Sequence, residues 1–426
     1  MSSMHLKETN VNKPGLDSFI TPLSQQLLPL VITEDSQQIA IPCLFMRGGS
    51  SRGGFFLASD LPSDPVERDA VLLAAYGSPD VRQIDGIGGA DPLTSKAAIV
   101  SRSEREDADL EYTFCQIDLA RAKVSTGGNC GNMLAAVGPF GVLRGLIKSV
   151  DGQNCVRIFT TNTGQIVQAC FEVKGGAPCV DGSTVVPGVP GSGAMIAIDF
   201  GDCAGSVSGK LLPTGNATDT ITVDGREVNV SLIDAATPFV FVNAQDIDGD
   251  ASASPESIEA DKILMNRLEH IRGWAATVLG IVDRPEDAVT VSPNMPRVIM
   301  ISKPMSYSSN MISTDAAEMD LTVRQIAMQK PHKALAVTGA VCTAVACQTP
   351  GSIVAQQLGV ISDGIIRLGH PSGVLSVSSH VETVNGELKI HRAAVNRTAR
   401  LIMAGIIFVT RSKLLSIKKL LSTSTQ

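Results

Sequence analysis

The chain lacks any excess of basic charge. Its 426 residues carry 35 Lys and Arg against 42 Asp and Glu, a formal net charge of −7, which leaves no electrostatic footprint for nucleic acid. Aromatic residues make up only 4%. The nine cysteines include no Cys-x-x-Cys pair, and the six histidines show neither His-x-x-x-His nor His-x-x-Glu-His spacing, so no metal cluster is expected. The cysteines are expected to be reduced thiols, as in a cytosolic-type compartment. The Gly-Lys-Ser/Thr of a phosphate loop is absent. No uninterrupted apolar run is long enough to span a bilayer. Residues 1–35 contain neither the apolar core of a signal peptide nor an arginine, which argues against secretory and mitochondrial leaders. A soluble, cytoplasmic protein without membrane or nucleic-acid partners is expected.

Glycine is plentiful, at 39 residues, and hydrophobic content reaches 44%. That mix suits tightly turned β-structure around a large core, and the length suits two domains. Residues 1–37 read as a polar arm. Strands are expected at 39–46, from Lys96, at 110–119 and on either side of Asn162-Thr163-Gly164. Further strands are expected at 195–200, at 220–232 with Asp224-Gly225 as a hairpin turn, at 238–243 and at 297–302, and late ones near 373–378, 387–392 and 405–409. Helices are expected at 64–76, from Cys130 towards Ile147 with a kink or restart at Pro139, at 256–281 and at 320–329. Trp274 falls on the buried stripe of the 256–281 helix. The Gly/Pro-rich stretch 174–193 reads as a junction, and the basic tail 411–426 as a frayed or docked helix.

Chemistry concentrates at Ser125-Thr126-Gly127-Gly128-Asn129-Cys130-Gly131-Asn132. A thiol there stands where a glycine-rich turn becomes a helix, beside unpaired amide groups that favour carboxylates and a thiolate. Thr338-Gly339-Ala340-Val341-Cys342 echoes this Thr-Gly-x-x-Cys pattern 212 residues later, about half the chain length. Two like halves facing each other would account for that offset. Arg47-Gly48-Gly49-Ser50-Ser51-Arg52-Gly53-Gly54 offers two arginines and exposed amides to an acidic ligand. Gly88 to Ile99 contains Lys96 at the start of an apolar strand, where burial and neighbouring cations would lower its pKa and make it a base.

These segments, with Lys330-Pro331-His332-Lys333, Gly369-His370-Pro371-Ser372-Gly373 and Arg397-Thr398-Ala399-Arg400, resemble the 2-methylaconitate isomerase family over residues 38–410. The resemblance implies an α+β fold similar to diaminopimelate epimerase: two similar domains, 38–192 and 193–410, each a β-structure wrapped around a central helix. A homodimer is implied with it. It also implies a cofactor-independent, metal-free isomerase of a small tricarboxylate, in which Lys96 and Cys130 are the catalytic pair. Substrate contacts are expected from Ser50, Ser51, Arg52, Thr94, Ser95, Gly128, Asn129, Gly131 and Asn132, and from Cys342, His370, Ser372 and Gly373 in the second half. Epimerase relatives use one cysteine per domain, but Cys342 lacks their Cys-Gly-Thr-Gly surroundings.

The chemistry expected is an allylic proton shift. Loss of a CH₂ proton from an aconitate-like acid gives a dienolate, and return of a proton at the far alkene carbon moves the double bond. Reprotonation of a rotated conformer interconverts cis and trans isomers. Alternatives are a Δ-isomerase or tautomerase of a related tricarboxylate, or a silent carboxylate-binding paralogue.

Overall fold

The sixteen strands of four residues or more pair in one unbroken order in the computed structural model, which describes residues 36–423 except 202, 310, 311 and 360–363. The strands are β1 (Gln38–Gly48), β2 (Ser51–Leu57), β3 (Lys96–Arg102), β4 (Leu110–Ile117), β5 (Gly152–Thr160), β6 (Gln165–Lys174), β7 (Ile196–Asp199) and β8 (Asp219–Val223). They continue as β9 (Arg226–Ala235), β10 (Thr237–Asn243), β11 (Arg297–Ser302), β12 (Leu321–Ala327), β13 (Ile365–His370), β14 (Gly373–Val384), β15 (Glu387–Arg397) and β16 (Ala399–Thr410). The expected arm at 1–37 lies almost wholly outside the described residues.

Pairing runs β16-β1-β2-β3-β4-β5-β6-β7 and then β15-β14-β13-β12-β11-β10-β9-β8. Outward from the β7–β15 junction, both arms repeat one sequence of pairings: antiparallel twice, parallel, antiparallel, parallel, antiparallel twice. The sheet is thus an internal repeat, the physical counterpart of the half-length echo.

Each arm curls around a buried helix. In the first arm this is α2 (Gly131–Leu134) followed by α3 (Val137–Leu143), inserted between β4 and β5. In the second it is α6 (Val337–Cys347), inserted between β12 and β13, and every one of its residues is buried. One apolar cluster joins the two, running from Met133 and Phe140 to Val341 and Val345. The outer helices also correspond: α1 (Pro65–Tyr76) links β2 to β3, while α4 (Pro255–Ala260) and α5 (Lys262–Val278) link β10 to β11. Trp274 of α5 packs part-buried against a second-arm core. The basic tail docks as α7 (Arg411–Thr423), with Ile417 buried and Lys418 Nζ 2.7 Å from Glu67 Oε1 of α1. Among the described residues no helix is long and apolar enough to cross a membrane.

Four expectations are corrected. Residues 321–327 are a strand, not part of a helix at 320–329: β12 is hydrogen-bonded between β11 and β13 and buries Thr322, Arg324 and Gln325 along with its apolar residues. Pairing on both edges overrides the local preference there. The 256–281 helix is broken at Asp261, whose carboxylate accepts from Ile263 N and Leu264 N and so caps a new helix. The helix after Cys130 restarts as expected, stopping at Leu134 and resuming at Val137 with Pro139 in its first turn, but it ends at Leu143 short of Ile147. Not all cysteines are reduced: Cys155 and Cys170, directly opposed on β5 and β6, form a disulfide.

Candidate active site

Lys96, the first residue of β3, is fixed from both sides. Gly53 of β2 lies opposite it, where a Cβ would come 1.7 Å from the Lys96 carbonyl oxygen, so glycine is what lets the two parallel strands approach. The Tyr76 hydroxyl donates to that same carbonyl, and Gly54 N donates to the Tyr76 oxygen at 2.7 Å. The Lys96 ammonium donates to Gln116 Oε1 at 2.6 Å, and Gln116 is held by its own donation to Ser95 O at 3.0 Å. Lys96 is 8% exposed, and its Nζ stands 5.1 Å from the centre of the Phe114 ring. Burial lowers its pKa most. The Cys130 thiol, when ionised, raises it, and the Arg297 guanidinium lowers it further.

Cys130 is the N-cap of α2 and is part-exposed. Its own N–H donates to Asn129 Oδ1 at 2.8 Å. Gly131, the next residue, abuts the start of the other central helix: a Cβ there would lie 2.5 Å from Val337 Cβ. The two central helices therefore meet at their N-termini. The residue in the second arm that matches Cys130 is the N-cap of α6, Ala336. Cys342 is instead the sixth residue of α6, with no exposure, and its thiol donates to Ile233 O at 3.4 Å. The structure does not bring Cys342 to Cys130, and burial pushes its pKa up. Cys342→Ala is expected to keep turnover within about twofold of the parent and to lower stability by about 1 kcal/mol, read from activity and urea unfolding.

The second arm supplies cations to the Cys130 thiol. Arg297 is the first residue of β11, the position that Lys96 holds in β3. Its Nη2 donates to Asn294 Oδ1 at 3.0 Å, its guanidinium lies 5.9 Å from the Phe239 ring centre, and Gly128 backs onto it. Arg397 Nε donates to Asn132 Oδ1 at 3.2 Å, and Asn132 Nδ2 donates to Ser50 Oγ at 3.1 Å. These arginines are 8% and 3% exposed. Burial lowers each to about 10, and an ionised Cys130 acts on both in the opposite sense. Among the described residues neither has a carboxylate partner; their hydrogen bonds go to amide and carbonyl oxygens.

Two histidines complete this face. His332 is held down to about 4 by burial and then by Arg297, and His370 to about 3 by burial and then by Arg397. Both are neutral near pH 7. His332 Nδ1 accepts from Ala334 N at 3.0 Å, and His370 Nδ1 accepts from Ser372 N at 3.2 Å. That places the ring proton of each on Nε2 as a donor. Gly188, in the expected junction stretch, has its Cβ direction 3.7 Å from Ser372 and 3.9 Å from Ser50, so contributions from both arms converge beneath it. Gly373 holds the adjacent turn at φ +115°.

The remaining expected contacts divide. Thr94 and Arg52 both approach Gly89, and Arg52 is exposed. Ser51 Oγ is buried with no hydrogen-bond partner. Ser95 is fully buried and donates to Gln83 Oε1 at 2.7 Å, which makes it a support for the 83–95 loop. Gln116, Arg297, His332 and Arg397 line the candidate site beside Lys96 and Cys130, and motif reading did not pick them as ligands. The signal for Arg297 lies in the repeat, since it opens the strand equivalent to that of Lys96.

Residues 38–410 match the family model described as PrpF protein. The chain is 42% identical to 3-methylitaconate isomerase of Eubacterium barkeri, over 89% of this chain and 100% of the relative. It is 35% identical to 2-methyl-aconitate isomerase of Shewanella oneidensis, over 88% of this chain and 98% of that one. A crystal structure of methylitaconate-delta-isomerase superposes with a TM-score of 0.76 at 40% identity, covering 89% of this chain and 98% of the other. A hydroxyproline epimerase from Agrobacterium vitis superposes with a TM-score of 0.50 at 11% identity, over 87% and 93% of the two chains, a likeness of fold alone.

Proposed function

The chain belongs to the PrpF protein family, and on that premise we propose that it is a cofactor-independent isomerase that shifts an allylic proton on an unsaturated tricarboxylate, with cis–trans isomerisation of aconitate or 2-methylaconitate as the leading reaction. The observation that carries the substrate class is the pair Arg297 and Arg397. A buried guanidinium without an anion is costly, and substrate carboxylates supply the missing partners. The neutral Nε2–H donors of His332 and His370, the unpartnered Ser51 hydroxyl and the exposed Arg52 add positions for further carboxylate oxygens.

Lys96 and Cys130 form the proton-transfer pair. One takes the proton from the CH₂ carbon, giving a dienolate, and the other returns a proton at the far alkene carbon. General acid–base catalysis supplies roughly 10²–10⁴-fold, so stabilisation of the dienolate must supply much of the rest. The buried arginines stand where they can do so, each within electrostatic range of Cys130. Each of Arg297→Met and Arg397→Met is expected to raise KM by about tenfold to a hundredfold through the loss of a charge-assisted hydrogen bond. Steady-state kinetics on the two variants checks this.

A second reading is a Δ-isomerase acting on a smaller acid, favoured by the 42% identity to 3-methylitaconate isomerase. A proton NMR time course in D₂O without added metal or cofactor separates the two. Conversion of cis-aconitate or 2-methylaconitate to the trans isomer, with deuterium entering the CH₂, supports the first reading. Double-bond migration only in 3-methylitaconate or an oxo-acid supports the second. No exchange in any of these acids would mean a silent carboxylate-binding protein.

A further inference from the structure

The hairpin of β14 and β15 outruns its neighbours. β13 pairs with β14 only as far as Ser378, and β7 pairs with β15 only from Ala394 onward. Among the described residues, 380–392 are paired as strands only with each other; Gln348 steadies the base of this ribbon by donating to Ser379 O and accepting from Val381 N. The register slips within it: His380 faces Arg392, but Val381 faces Ile390, so His391 is the extra residue of a bulge. Bulges re-aim side chains. This one sets His391 beside His380 and Glu382, with the two imidazole centres 5.3 Å apart and His391 Nε2 3.2 Å from Glu382 Oε2. Donor atoms from all three residues, which are exposed, lie within 4.8 Å of one another.

We propose that His380, Glu382 and His391 form a surface site for a divalent transition-metal ion of the zinc or nickel class, separate from the proton-shift site. Metal–nitrogen and metal–oxygen bonds of about 2.0–2.2 Å in tetrahedral array put donor atoms about 3.3 Å apart. His391 and Glu382 already have that separation, and a rotation of the exposed His380 side chain brings in the third donor. Two imidazoles and one carboxylate suit zinc, nickel or copper and not the all-oxygen preference of calcium or magnesium. Three protein ligands leave a position for water or for a donor from outside the chain. A bound ion ties β14 to β15 across the bulge, where among the described residues the two strands pair only with each other. Sequence spacing hides the site, because two ligands lie on one strand and the third is brought round by the turn.

The test is titration of the full-length protein with NiCl₂, followed by calorimetry and by the ring-proton NMR signals of its six histidines. One Ni²⁺ per chain is expected, broadening two histidine signals, the two that disappear in His380→Gln and His391→Gln. Glu382→Gln should weaken binding by more than about tenfold, since even outer-shell partners of a metal are worth that much. Ni²⁺ should raise the unfolding temperature of the parent but not of His391→Gln. Without metal the variants should unfold like the parent and keep its isomerase activity, which separates this proposal from the reading of the other site. Unchanged Ni²⁺ stoichiometry and affinity in His391→Gln, or broadening of other histidines or of none, would overturn it.

Discussion

Lys96→Met is expected to lower turnover by about 10³-fold or more while leaving the fold at least as stable as the parent. The loss follows from position: the amine is buried, oriented by Gln116 and electrostatically linked to Cys130. Methionine keeps the length and loses the proton. Arginine should not rescue, because a guanidinium does not give up its proton and its planar fork does not fit the Gln116 oxygen. The stability gain has a definite sign. Burial lowers the lysine pKa in the fold, so the unfolded chain binds the proton more tightly. The parent must therefore gain stability as pH rises from the lowered folded value towards the ordinary ~10.4, and below that window it carries the full penalty of the buried cation. Lys96→Met lacks the penalty and should lack that rise. Activity assays with unfolding curves at several alkaline pH values check both halves. An active variant would remove Lys96 from the mechanism as drawn, and a variant less stable than the parent below the alkaline window would overturn the burial penalty.

That outcome bears on how far a sequence discloses a site. Lys96 and Cys130 stand out as candidates because each sits at a chemically marked boundary, a lysine opening an apolar strand and a cysteine closing a glycine-rich turn. The strand pattern is legible for similar reasons of alternation and turn chemistry, as at Asp224-Gly225 between β8 and β9. The segment 320–329 misleads because buried Thr322, Arg324 and Gln325 blur the two-residue alternation, and only pairing with β11 and β13 reveals a strand. The Thr-Gly-x-x-Cys echo accompanies a repeated order of strand pairings, but its residues are not the equivalent ones. Val337 already begins α6, so Cys342 is carried more than a turn into the core and Ala336 takes the place of Cys130. Arg297 has no local mark, because its role depends on opening a strand that a long excursion separates from its partner β10. The Cys155–Cys170 disulfide is set by cross-strand register, which spacing alone does not give.

The asymmetry between Cys130 and Ala336 leads to the second large effect. Cys130→Ala is expected to reduce isomerisation by about 10³-fold, close to the loss from Lys96→Met, because each residue serves one end of the allyl system and neither can reach both. The two variants should differ in what they still do. A variant that keeps the residue serving the CH₂ carbon of one isomer can still remove and replace that proton, so it exchanges deuterium into that isomer without converting it. The complementary variant should exchange only the other isomer. Which isomer each variant labels then assigns base and acid for each direction of the reaction. Proton NMR of both variants with both isomers in D₂O reads this directly. Exchange of both isomers by the same single variant would mean that one residue carries the proton across the allyl system alone. Ordinary turnover by Cys130→Ala would leave the thiol as a binding group, with the second-arm cations acting on the substrate carboxylates rather than on a reacting sulfur.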